Sequence, residues 1–463
     1  MDRICKLLFL LVVLVVCVEV EAESWDQPYS YVNEGELGEY TVEYGASYRA
    51  LPLSSAGAIF QLAFFNTTPN AYALAIRMGY YSYAETMRFV WTPNRHHLVS
   101  EKATLNFTSR GDLVLFDADG TLVWSTNTAN KGVVGVELRS NGNMVLYDKK
   151  NRTVWQSFDF PTDSLLVGQS LDISRVKKLV SRISEKDGSE GPYSLEMEAG
   201  GFALYASLPN PLAYWTLSFY DNERKDLFSI KHTCERPVAS ITFLSDSEAR
   251  NGFRQIIEMQ LSNSSAPAQQ RSPELCNLTS QSTVSYGFNF PRFNTTLSFL
   301  RLDWDGNLRM YTYSPDVEGN TWDITYERFK SGEGIYGCGP PRKCGSLGVC
   351  QDSSCVACPQ PDGVKAWSPN CSSPKLPSCS AKNSASLDFY KLVGVDHFSN
   401  KYEGGIGKLT VVECKRRCLS DCKCAAFFYW QESSTCFLTQ SLYTLQQLGN
   451  TTHLAFIKYA KKL

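Results

Sequence analysis

The side chains on which most enzymes rely are sparse here. Five histidines occur in 463 residues: His96 and His97 are adjacent, while His232, His397 and His453 stand apart. Neighbours on a strand point to opposite faces, so His96 and His97 are poorly placed to chelate one metal. No G-x-S-x-G elbow, H-E-x-x-H helix, P-loop or G-x-G-x-x-G turn is found. Cysteine is abundant but unevenly spread: Cys5 and Cys17, none until Cys234, then fourteen from Cys234 to Cys436. The spacing Cys355-Val-Ala-Cys358 could serve zinc or redox chemistry, but no second such pair or finger-spaced histidine pair accompanies it. The chain reads as a non-enzyme with no metal and no cofactor.

The N-terminus supplies the compartment. Arg3 and Lys6 precede an apolar run from Leu7 to Val18, and Val20-Glu21-Ala22 offers small residues where a signal peptidase cuts. A membrane span needs about 20 apolar residues, so residues 1–22 are expected to be a cleaved secretory signal, with no membrane span elsewhere. The mature chain, 463 − 22 = 441 residues, keeps fourteen cysteines. In an oxidising compartment that predicts seven disulfides and leaves no free thiol for catalysis. Eight N-glycosylation triplets, at Asn66, Asn106, Asn151, Asn263, Asn277, Asn294, Asn370 and Asn450, fit secretion. A net charge of 45 − 47 = −2 argues against nucleic acid as a partner.

The elements behind these residues are strands. Gly111, Val114, Leu115, Asp117 and Trp124 recur 31 residues later as Gly142, Val145, Leu146, Asp148 and Trp155. Phe89-Val90-Trp91-Thr92-Pro93-Asn94 echoes Leu122-Val123-Trp124-Ser125-Thr126-Asn127. Each unit alternates short apolar strands with turn residues. One short sheet cannot bury its face alone, so three units are expected to close as the faces of a prism. Trp91 and Trp124, each after two apolar residues, and Trp155, after Thr153-Val154, are expected to plug its axis rather than stack on sugar.

The runs Phe89 to Arg95, Gly120 to Asn127 and Asn141 to Asp163 resemble the bulb-type, mannose-binding lectin domain of plants. Leu165 to Leu171, Lys178 to Arg182 and Gly191 to Ser194 resemble more narrowly the plant epidermis-specific secreted glycoproteins, which share an ectodomain plan with S-locus glycoproteins and lectin receptor kinases. The resemblance implies a mostly β protein: a lectin β-prism at 43–165, a second lectin-like β unit at 166–332, a small disulfide-rich EGF-like module at 333–377 and an α+β PAN/apple domain at 378–463. It also implies pairings. In the EGF-like cluster, where six cysteines allow about fifteen connectivities, these are Cys338–Cys350, Cys344–Cys355 and Cys358–Cys371. In the PAN module they are Cys414–Cys436 and Cys418–Cys424, leaving Cys379–Cys422. Cys234 and Cys276 most simply pair with each other. Glu413 to Asp421 has helix character, with Cys414, Cys418 and Cys422 spaced along one face.

In bulb-type lectins the sugar site is a Gln-x-Asp-x-Asn-x-Val-x-Tyr strand, whose period of two turns all five side chains to one face. This resemblance places carbohydrate binding at Arg139, Asn141, Asn143, Val145 and Tyr147. Gln is replaced by Arg and Asp by Asn. A weaker copy reads Thr108, Arg110, Asp112, Val114, Phe116, and a third reads Asp303, Asp305, Asn307, Arg309, Tyr311. Asn141-Gly142 and Asp305-Gly306 also read as two-residue hairpin turns. The expected function is that of a secreted cell-wall or apoplast glycoprotein binding mannose-type glycans or glycoproteins, with a protein partner possible through the PAN module. The alternative is a structural or regulatory wall glycoprotein that has lost sugar binding and acts through protein contacts.

Overall fold

The computed structural model describes residues 4–6, 16–18, 24–26, 28–53, 58–80, 86–207, 210–218, 237–246, 253–262, 283–289, 294–315, 321–332, 337–379 and 387–461. Most of the expected signal segment lies outside these residues, as do Cys234, Cys276, Asn263 and Asn277. Residues 1–161 with 313–322 form one compact unit, and residues 162–312 with 323–463 form the other.

The first unit is a prism of three four-stranded sheets. Their hydrogen-bonded orders are Leu122–Ser125, Leu113–Phe116, Thr104–Phe107, Tyr29–Val32; then Thr153–Gln156, Met144–Asp148, Val133–Leu138, Ser24–Trp25; and Ser47–Ala50, Phe60–Thr68, Ala71–Met78, Arg88–Trp91. The repeat is carried into register. Ile76 pairs with Trp91, Leu115 with Trp124 and Leu146 with Trp155, and in each sheet the register shifts immediately afterwards. Each bulge therefore bends its ribbon at the same depth. The three indoles meet edge to face, with centroids 5.9, 5.9 and 6.2 Å apart and planes at 66° to 76°. Such pairs contribute about 1 kcal/mol each beyond their buried area. Trp91 Nε1 donates to the Phe160 carbonyl at 2.8 Å, so this indole N–H is satisfied.

The second unit contains three more four-stranded sheets, built from Ser164–Leu166, Ser298–Leu302, Leu308–Tyr313 and Trp322–Glu327; from Ser170–Asp172, Val238–Asp246, Arg254–Leu261 and Thr283–Asn289; and from Lys178–Arg182, Glu190–Glu198, Gly201–Ser207 and Pro211–Ser218. Leu171, Leu179, Tyr193, Phe202, Phe243, Leu302 and Met310 are buried together at its centre.

In the same unit, the EGF-like and PAN segments share a sheet. Gly363–Ala366, Ser354–Gln360 and Leu347–Gln351 continue into Tyr443–Gln447 and Val395–His397. Leu347 to Cys350 run parallel to Tyr443 to Gln446 across this join. A second sheet, Leu387–Val393, His453–Ala460, Ala426–Trp430 and Thr435–Thr439, buries Phe427 with Cys414 and Cys418 of the helix Val411–Ser420. Thr410 and Glu413 close a capping box at the start of that helix. The helix ends before Cys422, so Cys414 and Cys418 lie on it and Cys422 does not. Disulfides join Cys338 to Cys350, Cys344 to Cys355, Cys358 to Cys371, Cys379 to Cys422, Cys414 to Cys436 and Cys418 to Cys424.

Candidate functional site

The lectin-type segment is half turn and half strand. The Arg139 amide donates to the Asn143 carbonyl and the Gly142 amide to the Arg139 carbonyl, both at 2.9 Å. This encloses three loop residues, Ser140, Asn141 and Gly142, with Gly142 at φ +85°. The same pair of bonds closes 108–112 and 303–307, where Gly111 and Gly306 have φ +77° and +81°. These are three-residue loops ending on a left-handed glycine, and not the two-residue turns that Asn-Gly and Asp-Gly suggest. Arg139 and Asn141 consequently do not share one continuous strand face with Asn143, Val145 and Tyr147. The strand begins only at Met144.

The middle position of the pattern acts as a tie. Asn143 is 4% exposed. Its Nδ2 donates to Gln156 Oε1 at 2.9 Å, and its Oδ1 accepts from Ser157 Oγ and the Phe158 amide, both at 3.3 Å. Asp112 does the equivalent work with Ser125, Thr126 and the Thr128 amide, at 2.7 to 2.9 Å. Burial would raise the Asp112 carboxyl, but the bonds from Thr128, Thr126 and Ser125 hold it below the ordinary range. Asn307 bonds to Glu327 at 2.9 Å and to the Phe329 amide at 3.0 Å. In each copy a polar side chain, buried at Asn143 and Asn307 and half-buried at Asp112, fastens its hairpin to the next strand's end.

The other positions divide between surface and interior. Asn141 is exposed, and its Oδ1 accepts from the Asn143 amide at 3.1 Å. Arg139 Nε meets Glu137 Oε1 at 2.6 Å, with the two side chains 39% and 26% exposed. Tyr147 is half-buried and donates its hydroxyl to Asp26. Val145, aligned across the sheet with Glu137 and Gln156, is fully buried and cannot offer its methyls to a ring from solvent. Glu137, Gln156 and Asp26 were not singled out from the sequence, because each reaches the segment through strand register.

In the second unit the pattern has turned into an ion network. Arg309 Nη1 reaches Asp303 at 2.7 Å, Nη2 reaches Asp305 at 2.8 Å and Nε reaches Glu327 at 2.9 Å. Burial alone would lower the Arg309 guanidinium, but its bonds to Asp305 and Asp303 hold it above the ordinary arginine value. Tyr311 donates to Asp303 at 2.9 Å. Burial raises the Asp303 carboxyl, against the pull of Arg301 and Arg309. Arg309 therefore stands where the pattern has its apolar contact and occupies the neighbouring carboxylates itself.

Among the potential modification sites, Asn151, Asn294, Asn370 and Asn450 are exposed and Asn66 and Asn106 half-buried. No helix among the described residues is long and apolar enough to cross a membrane. No cluster of metal-ligating side chains occurs among them either.

A prism with a tryptophan axis and lectin-pattern hairpins defines a bulb-type lectin fold. Residues 88–186 match the family described as D-mannose binding lectin, and residues 379–442 match the PAN-like domain. The whole chain belongs to the EP1-like glycoproteins. It is 38% identical to EP1-like glycoprotein 2 of Arabidopsis thaliana over 97% of this chain and 98% of that one. It is 41% identical to the epidermis-specific secreted glycoprotein EP1 of Daucus carota, over 77% and 90%. It also matches a G-type lectin S-receptor-like serine/threonine-protein kinase of Arabidopsis thaliana at 24% identity, over 88% of this chain but 44% of the kinase.

Proposed function

We propose that this protein is a secreted, non-catalytic glycoprotein of the cell wall or apoplast that recognises mannose-type glycans weakly through the 139–147 hairpin. The observation that carries this reading is the loop's polar outer side. Asn141 is exposed, and the Arg139–Glu137 pair remains accessible beside it. The buried Asn143 holds that loop in place. The match to the D-mannose binding lectin family and a relative named as secreted support the same reading. Arg139 supplies donors only, so a sugar hydroxyl facing it acts as acceptor, while the Asn141 amide offers both roles. A shallow polar site of this kind binds at about millimolar strength. Multivalent presentation and a protein contact through the PAN module would add to it.

A second reading, a wall glycoprotein acting through protein contacts alone, is favoured by the complete burial of Val145 and the internal use of the Tyr147 hydroxyl. A glycan array on the mature protein separates the two. It is repeated with Arg139→Ala, Asn141→Ala and Tyr147→Phe combined, a variant that spares the Asn143 tie. Absence of mannose-type signal in the wild type ends the lectin reading. A signal that ignores the triple variant removes the site from this hairpin.

A further inference from the structure

A cavity of about 370 Å³ opens in the second unit beside the 303–311 segment. Trp304, Arg309, Glu327, Arg342 and Lys343 line it, with Ile183 at its apolar side. Trp304 is 42% exposed and Ile183 48% exposed. An indole left in contact with water at a concave surface is a platform for an apolar face.

The charges of this cavity are of two kinds. Asp305 and Glu327 are already matched by Arg309, which bonds to both. Lys343 and Arg342 have no carboxylate partner among the described residues. The Lys343 ammonium has one acceptor among the described residues, the Gly337 carbonyl at 2.6 Å, so two of its three donors remain. Burial also lowers its pKa, against the pull of Glu327 and Asp305, as expected of a partly dehydrated cation. The Arg342 guanidinium lies over the Tyr443 ring at 5.4 Å and has no acceptor among the described residues. Both residues sit on a segment fixed at either side by the Cys338–Cys350 and Cys344–Cys355 disulfides, and the Lys343 amide bonds back to Pro340 at 3.2 Å. The cations are thus preorganised, which reduces the ordering cost of binding.

We infer that this cavity is a second saccharide site, taking a pyranose that carries a carboxylate, a uronic acid residue. The ring's C–H face lies on Trp304. The carboxylate accepts from Lys343 and Arg342. Ring hydroxyls donate to free lone pairs of Asp305 and Glu327. The site is independent of the 139–147 hairpin, and its ligand differs from a mannose-type glycan by a negative charge.

The test is ligand-observed saturation-transfer NMR on the mature full chain, titrating methyl β-D-glucuronide and methyl β-D-glucoside, which differ at the C6 position. The glucuronide is expected to bind about tenfold more tightly, the size of one charge-assisted contact. Added salt should weaken the glucuronide alone. Arg342→Gln with Lys343→Gln should bring the glucuronide down to the glucoside's level, and Trp304→Ala should abolish both signals. Arg342 and Trp304 face solvent, so an unchanged melting profile in these variants certifies the fold. The triple variant at Arg139, Asn141 and Tyr147 should retain glucuronide binding even where mannose signal is lost. Equal binding of the two glycosides, binding of neither, or glucuronide binding unaltered by Trp304→Ala overturns the proposal.

Discussion

Asn143 occupies a position that a lectin pattern assigns to sugar, yet its bonds run inward, and Asn143→Ala separates the two roles. The change removes the amide that donates to Gln156 and accepts from Ser157 and the Phe158 backbone. Each bond contributes about 0.5–1.5 kcal/mol net, and a buried amide left without an acceptor costs about 1–3 kcal/mol. The partners partly relax, because Gln156 keeps its 2.9 Å bond to Asp159. The expected loss is therefore about 2–4 kcal/mol. For a domain of this size that lowers the melting temperature by roughly 5–15 °C. Calorimetry on the full chain reads the shift, and near-ultraviolet circular dichroism of the tryptophan axis assigns it to the first unit. Asn141→Ala is the control in the same loop. It loses one part-buried bond, from the Asn143 amide at 3.1 Å, and should cost about 1 kcal/mol. Asn143→Asp keeps the acceptor and should fall between the two, since Asp112 has the same role in the preceding repeat. If Asn143→Ala melted with the wild type, the tie would be wrong; if it also lost mannose signal, the residue would belong to the ligand.

Three further outcomes are expected. Arg139→Gln with Asn141→Asp restores the bulb-type pattern, removes the Arg139–Glu137 pair and adds a charged acceptor; mannose affinity by titration calorimetry should rise about five- to thirtyfold, and no gain would show that the buried Val145 blocks the site. Burial lowers His397 to about 3, so the unfolded chain takes up a proton near pH 6.5 that the folded chain refuses. Its contribution is therefore complete above about pH 6.5 and declines as pH falls toward about 3, by roughly 3 kcal/mol at pH 4; urea unfolding of His397→Gln should show a flatter slope in that window, and an unchanged slope would refute the assignment. The Cys379–Cys422 bridge closes a separation of 43 residues and Cys418–Cys424 one of 6. Chain-entropy arithmetic makes their paired alanine replacements cost about 4 and about 2 kcal/mol, an order that calorimetry of the PAN transition can reverse or uphold.

The prism was legible because its signal is repetition. The spacing that carries Trp124 onto Trp155 survives in the register Leu115 to Trp124 and Leu146 to Trp155. The candidate site was less legible, for a local reason. A period-two reading treats 139–147 as one strand, but Gly142 adopts a left-handed conformation and inserts a turn after Arg139. The partners Glu137, Gln156 and Asp26 become visible only when three strands and the N-terminal segment come into register. The helix around Cys414 was readable from its spacing, while its end before Cys422 is set by chain geometry at Asp421, which adopts extended backbone.

The parallel join between Leu347–Cys350 and Tyr443–Gln446 spans 443 − 347 = 96 residues of chain. During synthesis the first disulfide cluster can close as soon as Cys371 emerges. Its strand edge, however, stays open until Tyr443–Gln447 is made, and pairings this distant are slow. An unpaired edge of that kind is a template for the wrong neighbour. A nascent chain stopped before Tyr443 should carry its cross-links yet be retained by chaperones, so the strand Tyr443–Gln447 acts as the release signal for a module completed long before it.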